Sequence, residues 1–237
     1  MKTKIHIGLD VHKNSIVAAY ALSDGSPPQH HGKWGGSNLA AERGLLKLLK
    51  KLGLEKGDAR ICYEAGPTGF VLARRLLQLG YDCIIVAPSA VPKAPGERVK
   101  TDRRDARKLA RHLRSGDLEG IHIPDGRDEA VRDVCRARTD ASQALSCAKQ
   151  QLSMFLLRVG RRYGGKTSWT QGHMNYLRGI TLPEGAHQIV LEEYITAVDA
   201  GVERVRRLEA HMEAVLETWP RKPAVEALTA RDPRTSQ

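Results

Sequence analysis

Apolar positions alternate with others over residues 4–10, placing Ile5, Ile7 and Leu9 on one face. A period of two residues is that of a strand. Residues 15–22, SIVAAYAL, read as a second strand, and residues 11–14 leave room only for a tight turn, so the pair forms a hairpin. Asp24-Gly25 and Pro27-Pro28 mark another turn, and residues 30–34 supply a short third strand. The spacing then lengthens. Ser37 or Asn38 caps a helix that runs to about Leu52 on the leucines at 39, 45, 46, 48 and 49, and Gly53 ends it. Residues 60–64 read as a strand. Pro67 starts a helix stopped by Gly80, residues 81–87 form a buried strand, and residues 88–96 form a loop. Thr101 or Asp102 caps a further helix that reaches about Ser115. Three antiparallel strands followed by alternating strands and helices predict an α/β domain of ribonuclease-H-like order, with a mixed five-stranded sheet and helices on its faces.

Beyond residue 119 the strand pattern stops. From Val131 to Val159 apolar residues recur at alternating spacings of three and four, broken by Arg138. From Leu191 to Trp219 they do so again, broken by Glu209. Two seams of equal span predict an all-α antiparallel coiled-coil region, each arm about 40 Å long at a rise of about 1.5 Å per residue. Antiparallel pairing brings Arg138 near Glu209, and a buried pair there would set the register. The pattern fits pairing within one chain or between two. The connector, residues 160–186, mixes basic and aromatic residues, which suits either nucleic-acid contacts or a solvated loop with a small helix. The expected organisation is a catalytic domain over 1–118, a helical region over 119–221 and a short tail over 222–237.

Charge adds a partner to this picture. Lys and Arg outnumber Asp and Glu by 38 to 27, for a net charge of +11 and a pI near 9.7. A polyanion, and nucleic acid first, is the expected ligand. The four cysteines (Cys62, Cys83, Cys135, Cys147) form no CxxC pair and no zinc-site spacing, so buried free thiols in a reducing cytoplasm are expected. No apolar run has the length of a signal peptide core or a membrane span.

The acids carry the candidate chemistry. Asp10 ends an apolar strand, where a charge is costly unless solvated or paired. Glu64 ends another and is followed by AGPTG, whose glycines leave room for close approach. Asp102 and Asp105 are three apart on one helix, face the same side and repel unless a cation lies between them. In the expected sheet order the four converge, and four oxygen ligands can hold two Mg²⁺ or Mn²⁺ ions about 3.5–4 Å apart for in-line displacement at phosphate. Between Lys93 and Arg114 nine Lys or Arg residues face three acids. A basic helix bearing metal-binding acids suits a phosphate backbone, with Lys13, Lys100, Arg103, Arg104 and Arg107 as contacts.

GLDVHK (8–13), YEAGPTG (63–69) and KTDRRDARKLA (100–110) closely resemble the motifs of DEDD transposases of the insertion sequence 110 family. The resemblance covers residues 1–160 well and the helical region to about 220 more loosely. It implies a RuvC-like N-terminal domain with Asp10, Glu64, Asp102 and Asp105 as divalent-metal ligands. It also implies site-specific DNA recombination, a structured non-coding guide RNA, and homo-oligomeric assembly through the coiled coil. The family carries a C-terminal domain with a nucleophilic serine. No segment here resembles it, so a truncated copy is expected and no serine is assigned that role. Other readings of the same residues are a free-standing structure-selective nuclease and a non-catalytic nucleic-acid-binding remnant. An actin-like or sugar-kinase ATPase shares the first strand but needs a second similar domain.

Overall fold

The computed structural model describes residues 4–92 and 101–229. The chain divides into two compact units, Met1–Pro124 and Asp125–Gln237.

The first unit is built on strands β1 (Ile5–Val11), β2 (Ser15–Leu22), β3 (Gln29–Gly35), β4 (Ala59–Glu64) and β5 (Asp82–Val86) in the order β3-β2-β1-β4-β5. β1, β2 and β3 pair antiparallel, while β4 joins β1, and β5 joins β4, in parallel. This is the expected mixed sheet of ribonuclease-H-like order. Alternation then sorts the side chains. Ile5, Ile7 and Leu9 of β1 join Ile61 and Tyr63 of β4 in a core under α1 (Asn38–Leu52) and α2 (Val71–Gln78). The intervening positions face α3 (Asp102–Ser115) on the opposite side, where Cys62 and Val86 pack on Leu109 and Leu113.

Local chemistry explains most element ends. Ser37 Oγ accepts from the Ala40 amide to open α1, and Gly53 closes it at a φ of 64°. Thr101 caps α3 through the Arg104 amide. α2 departs from the expectation: it starts at Val71, not at Pro67. Residues 67–70 form a turn in which Gly69 adopts a φ of 67°, which a continuous helix does not allow. Phe70 offers no side-chain cap. Instead the Tyr63 hydroxyl accepts from the Ala73 amide at 3.1 Å, a cap delivered by a neighbouring strand.

The second unit pairs α4 (Gly126–Arg158) with α6 (Gly185–Glu217), 33 residues each and antiparallel. α5 (Gln171–Arg178) lies in the connector, and α7 (Lys222–Thr229) follows α6 within the stretch expected to be a tail. Leu152, Phe155, Leu191, Ile195 and Val198 bury one end of the pair together with Leu177, Ile180 and Leu182. Arg138 does meet Glu209, with an Nη2–Oε1 distance of 2.7 Å, so the pairing within one chain has the expected register. The pair is not buried: both side chains are about two-fifths exposed, because two helices alone cannot enclose their seam. Cys62 and Cys83 are buried, and burial pushes the Cys83 thiol up to about 12. Cys135 and Cys147 are exposed on α4, contrary to the expectation of buried thiols. Among the described residues no helix is long and apolar enough to cross a membrane.

Candidate metal centre

Gly8 determines where α3 sits. A Cβ at that position would run into the Ala106 carbonyl oxygen and lie 2.5 Å from the Ala110 amide nitrogen, so the helix backbone rests directly on β1. Val17 and Ala19 of β2 complete the bed beneath Ala106. The helix runs antiparallel to β1. At its C-terminal end the Arg114 guanidinium donates to the Leu22 and Ser26 carbonyls, beside the start of β1. Its first turn, which bears Asp102 and Asp105, therefore reaches the strand's far end, where Asp10 stands.

Asp10 and Asp102 meet there, joined by a residue the sequence reading did not single out. His12 Nε2 lies 3.0 Å from Asp10 Oδ2 and 3.9 Å from Asp102 Oδ1. Ligand atoms of these three residues all fall within 4.8 Å of one another. The signal for His12 was present in the GLDVHK motif: two positions after Asp10 on extended chain, it falls on the same face. Burial pushes the Asp10 carboxyl above the ordinary carboxylate range. His12 pulls it back, and the charges of Asp102 and Asp105 push it up again. Asp105 is thus within electrostatic reach of Asp10, although it is not one of the three clustered ligands.

Glu64 ends β4, one step beyond the Leu9–Tyr63 pair and hence alongside Asp10 on the adjacent strand, about 5 Å away at backbone level. Alternation from Cys62, whose thiol contacts the Leu109 carbonyl, puts Glu64 on the α3 side as well. Its carboxylate is exposed and lies outside the three-residue group. The structure therefore brings Asp10 and Asp102 together with His12, sets Asp105 nearby and leaves Glu64 on the flank.

The surroundings are basic and open. Arg103, Arg104 and Arg107 are exposed on α3, and Lys13 is exposed in the β1–β2 turn. Burial first, then the charges of Arg103 and Arg107, hold the His30 ring of β3 below the ordinary histidine range, so positive potential extends across the sheet edge. Lys100 lies outside the described residues. The Asp102 and His12 side chains are each 53% exposed and that of Asp10 is 19% exposed. Such a site accepts a polymer lying across it more readily than a small molecule enclosed in a cleft.

The donor set fits a divalent cation. Two carboxylates and an imidazole converge, the acids repel one another, and a positive ion between them would relieve that repulsion.

Comparison with known proteins agrees with this geometry. The transposase family model of DEDD, IS110 type matches residues 7–160, a span containing all four acids and His12. Protein y4qE of Sinorhizobium fredii, designated a transposase, is 41% identical over 196 residues, covering 82% of this chain and 49% of that protein. The transposase for insertion sequence element IS1533 of Leptospira borgpetersenii is 34% identical over 228 residues, covering 95% of this chain and 64% of that protein. The chain thus spans between about half and two-thirds of the length of these relatives. With the motifs, the sheet order and the family match in agreement, the chain belongs to the DEDD transposases of the IS110 family.

Proposed function

We propose that this chain supplies the metal-binding, nucleic-acid-holding part of a DNA transposase, with Asp10, Glu64, Asp102 and Asp105 as its carboxylates. The observation that carries the reading is the convergence of Asp10 and Asp102 at one end of the central strand, beneath the most basic helix of the unit. Asp10 and Asp102 would hold Mg²⁺ or Mn²⁺, with Asp105 and Glu64 as the remaining carboxylates of the site. A cation held there would supply Lewis-acid chemistry at a phosphate oxygen during displacement of a phosphodiester. The protein's own share is positional. Arg103, Arg104, Arg107, Lys13 and Lys100 fix the phosphate backbone by charge, and the open rim admits a duplex or a branched strand. A second ion, a structured guide RNA and homo-oligomeric assembly through the helical pair belong to the same reading by way of the family.

Thermal melting with and without Mn²⁺ tests it. Binding to the folded state raises stability by about 2.7 kcal/mol at a hundredfold excess over the dissociation constant. The natural chain is expected to gain stability and Asp102→Ala to lose the gain. Absence of any gain in the natural chain counts against the site. DNA binding should weaken steeply with salt, and Arg103→Ala with Arg107→Ala should each lower the salt slope by about one. A salt-independent association would remove the phosphate contacts from the reading.

A further inference from the structure

We propose that His12 is itself a ligand of this metal centre, supplying one nitrogen donor that biases the site toward divalent ions that accept imidazole. The inference rests on the carboxylate reading above and adds a residue to it.

The separations are compatible with donors sharing one ion, and without one His12 Nε2 and Asp10 Oδ2 are at hydrogen-bond distance. Two ligands on an octahedral cation at about 2.1 Å lie about 3.0 Å apart when adjacent and about 4.2 Å apart when opposite. The His12–Asp10 distance of 3.0 Å matches adjacent donors, and the His12–Asp102 distance of 3.9 Å lies between the adjacent and opposite values, a small side-chain movement from either. One ring nitrogen, Nε2, makes both approaches, so the donor atom already faces the space between the acids. An ordinary surface ion pair would need only one carboxylate.

His12 is also held by its backbone. Its amide donates to the Ser15 carbonyl at 2.9 Å, closing the turn between β1 and β2. Gly36 packs under that turn. Its amide donates to the Asn14 carbonyl at 3.1 Å, and a Cβ there would collide with the Lys13 carbonyl. The turn is therefore pinned from the β3 end as well, and the imidazole projects from a fixed base. A ligand held in place loses less freedom on binding than one on a loose loop.

Carboxylates alone suit Mg²⁺, Ca²⁺ and Mn²⁺, whereas an imidazole adds affinity for transition ions. The natural chain should therefore prefer Mn²⁺ to Mg²⁺. His12→Ala should weaken Mn²⁺ binding by at least about tenfold, with a much smaller change for Mg²⁺. The exposed His12 side chain makes a folding defect an unneeded explanation, and circular dichroism of the variant checks this directly.

The decisive experiment is Mn²⁺ titration with pulsed electron paramagnetic resonance on the untagged full chain, on His12→Ala and on Asp102→Asn. Support is a nitrogen coupling to bound Mn²⁺ in the natural chain that His12→Ala abolishes, together with collapse of the Mn²⁺ over Mg²⁺ preference. Mn²⁺ bound without nitrogen coupling, or with coupling that survives His12→Ala, overturns the role of His12 and leaves the carboxylate reading standing. No Mn²⁺ binding by the natural chain overturns both. Loss of binding in Asp102→Asn while His12→Ala behaves like the natural chain also overturns the role of His12 alone.

Discussion

The two units solve the packing problem in opposite ways. In the sheet unit the core is sealed: Ile5, Ile7, Leu9, Leu45, Leu48, Ile61, Tyr63, Leu76 and Ile85 have no exposed surface. In the helical unit the densest burial is at one end, around Leu152, Phe155, Leu191 and Val198; farther along, Val131 and Ala141 of α4 are buried but Val202 of α6 remains 47% exposed. A sheet covered on both faces surrounds its side chains, but two helices in contact have only one shared stripe. The candidate metal centre stands on the sealed unit, where a side chain's direction follows from its strand position. The helical pair provides length, and along its open half polar contacts such as Arg138–Glu209 and Asp128–Trp219 hold the register.

The sharpest way to break this contrast is at Gly8. Gly8→Val forces α3 off β1 and should cost about 3 kcal/mol or more in chemical denaturation, with Mn²⁺-dependent stabilisation lost at the same time. Retained metal binding would show that the site does not depend on this contact. In the helical unit Leu152→Ala should cost about 2–4 kcal/mol, and Val202→Ala, on the same pair of helices, no more than about 0.5 kcal/mol. Equal costs at the two positions would mean that the seam is uniformly buried. Arg138→Glu should cost about 1 kcal/mol or less, and the double swap with Glu209→Arg should recover part of it. A loss of several kcal/mol would mean that the pair is desolvated.

The smallest effect is at Asp10 and depends on pH. Its folded-state affinity for a proton is raised, so the ionised carboxyl opposes folding. That penalty is absent below the ordinary carboxylate value of 3.8 and sets in as pH rises through the folded-state value. Asp10→Asn, without metal, should therefore melt slightly higher than the natural chain at pH 7, and the difference should vanish below about pH 3. A lower melting point at pH 7 would mean that the contact with His12 outweighs burial and repulsion.

Much of this was legible in the chain. The alternation of Ile5, Ile7 and Leu9, the caps at Ser37 and Thr101, and the stops at Gly53 and Gly80 depend on neighbours in sequence, and the structure has them where such signals place them. The convergence of Asp10 with Asp102 followed from strand order, because a central strand and the helix crossing it must meet. What escaped depends on neighbours in space. The cap that Tyr63 gives α2 comes from a strand residue ten positions away, so Pro67 looked like the helix start. His12 looked like a turn residue until Asp102 arrived beside it. The exposure of Arg138 follows from the number of helices packed around it, which heptad spacing does not report.

Mechanically, α3 is a beam bolted at two points. Gly8 clamps its middle against the sheet and Arg114 rivets its far end to the Leu22 and Ser26 carbonyls. What overhangs is the turn carrying Asp102, about 6 Å of helix beyond the clamp at Ala106. So short a cantilever deflects little under load. A carboxylate can thus stand half in water, open to an incoming strand, and still keep its spacing to Asp10, because its tolerance is machined into the backbone and not into the packing of the side chain itself.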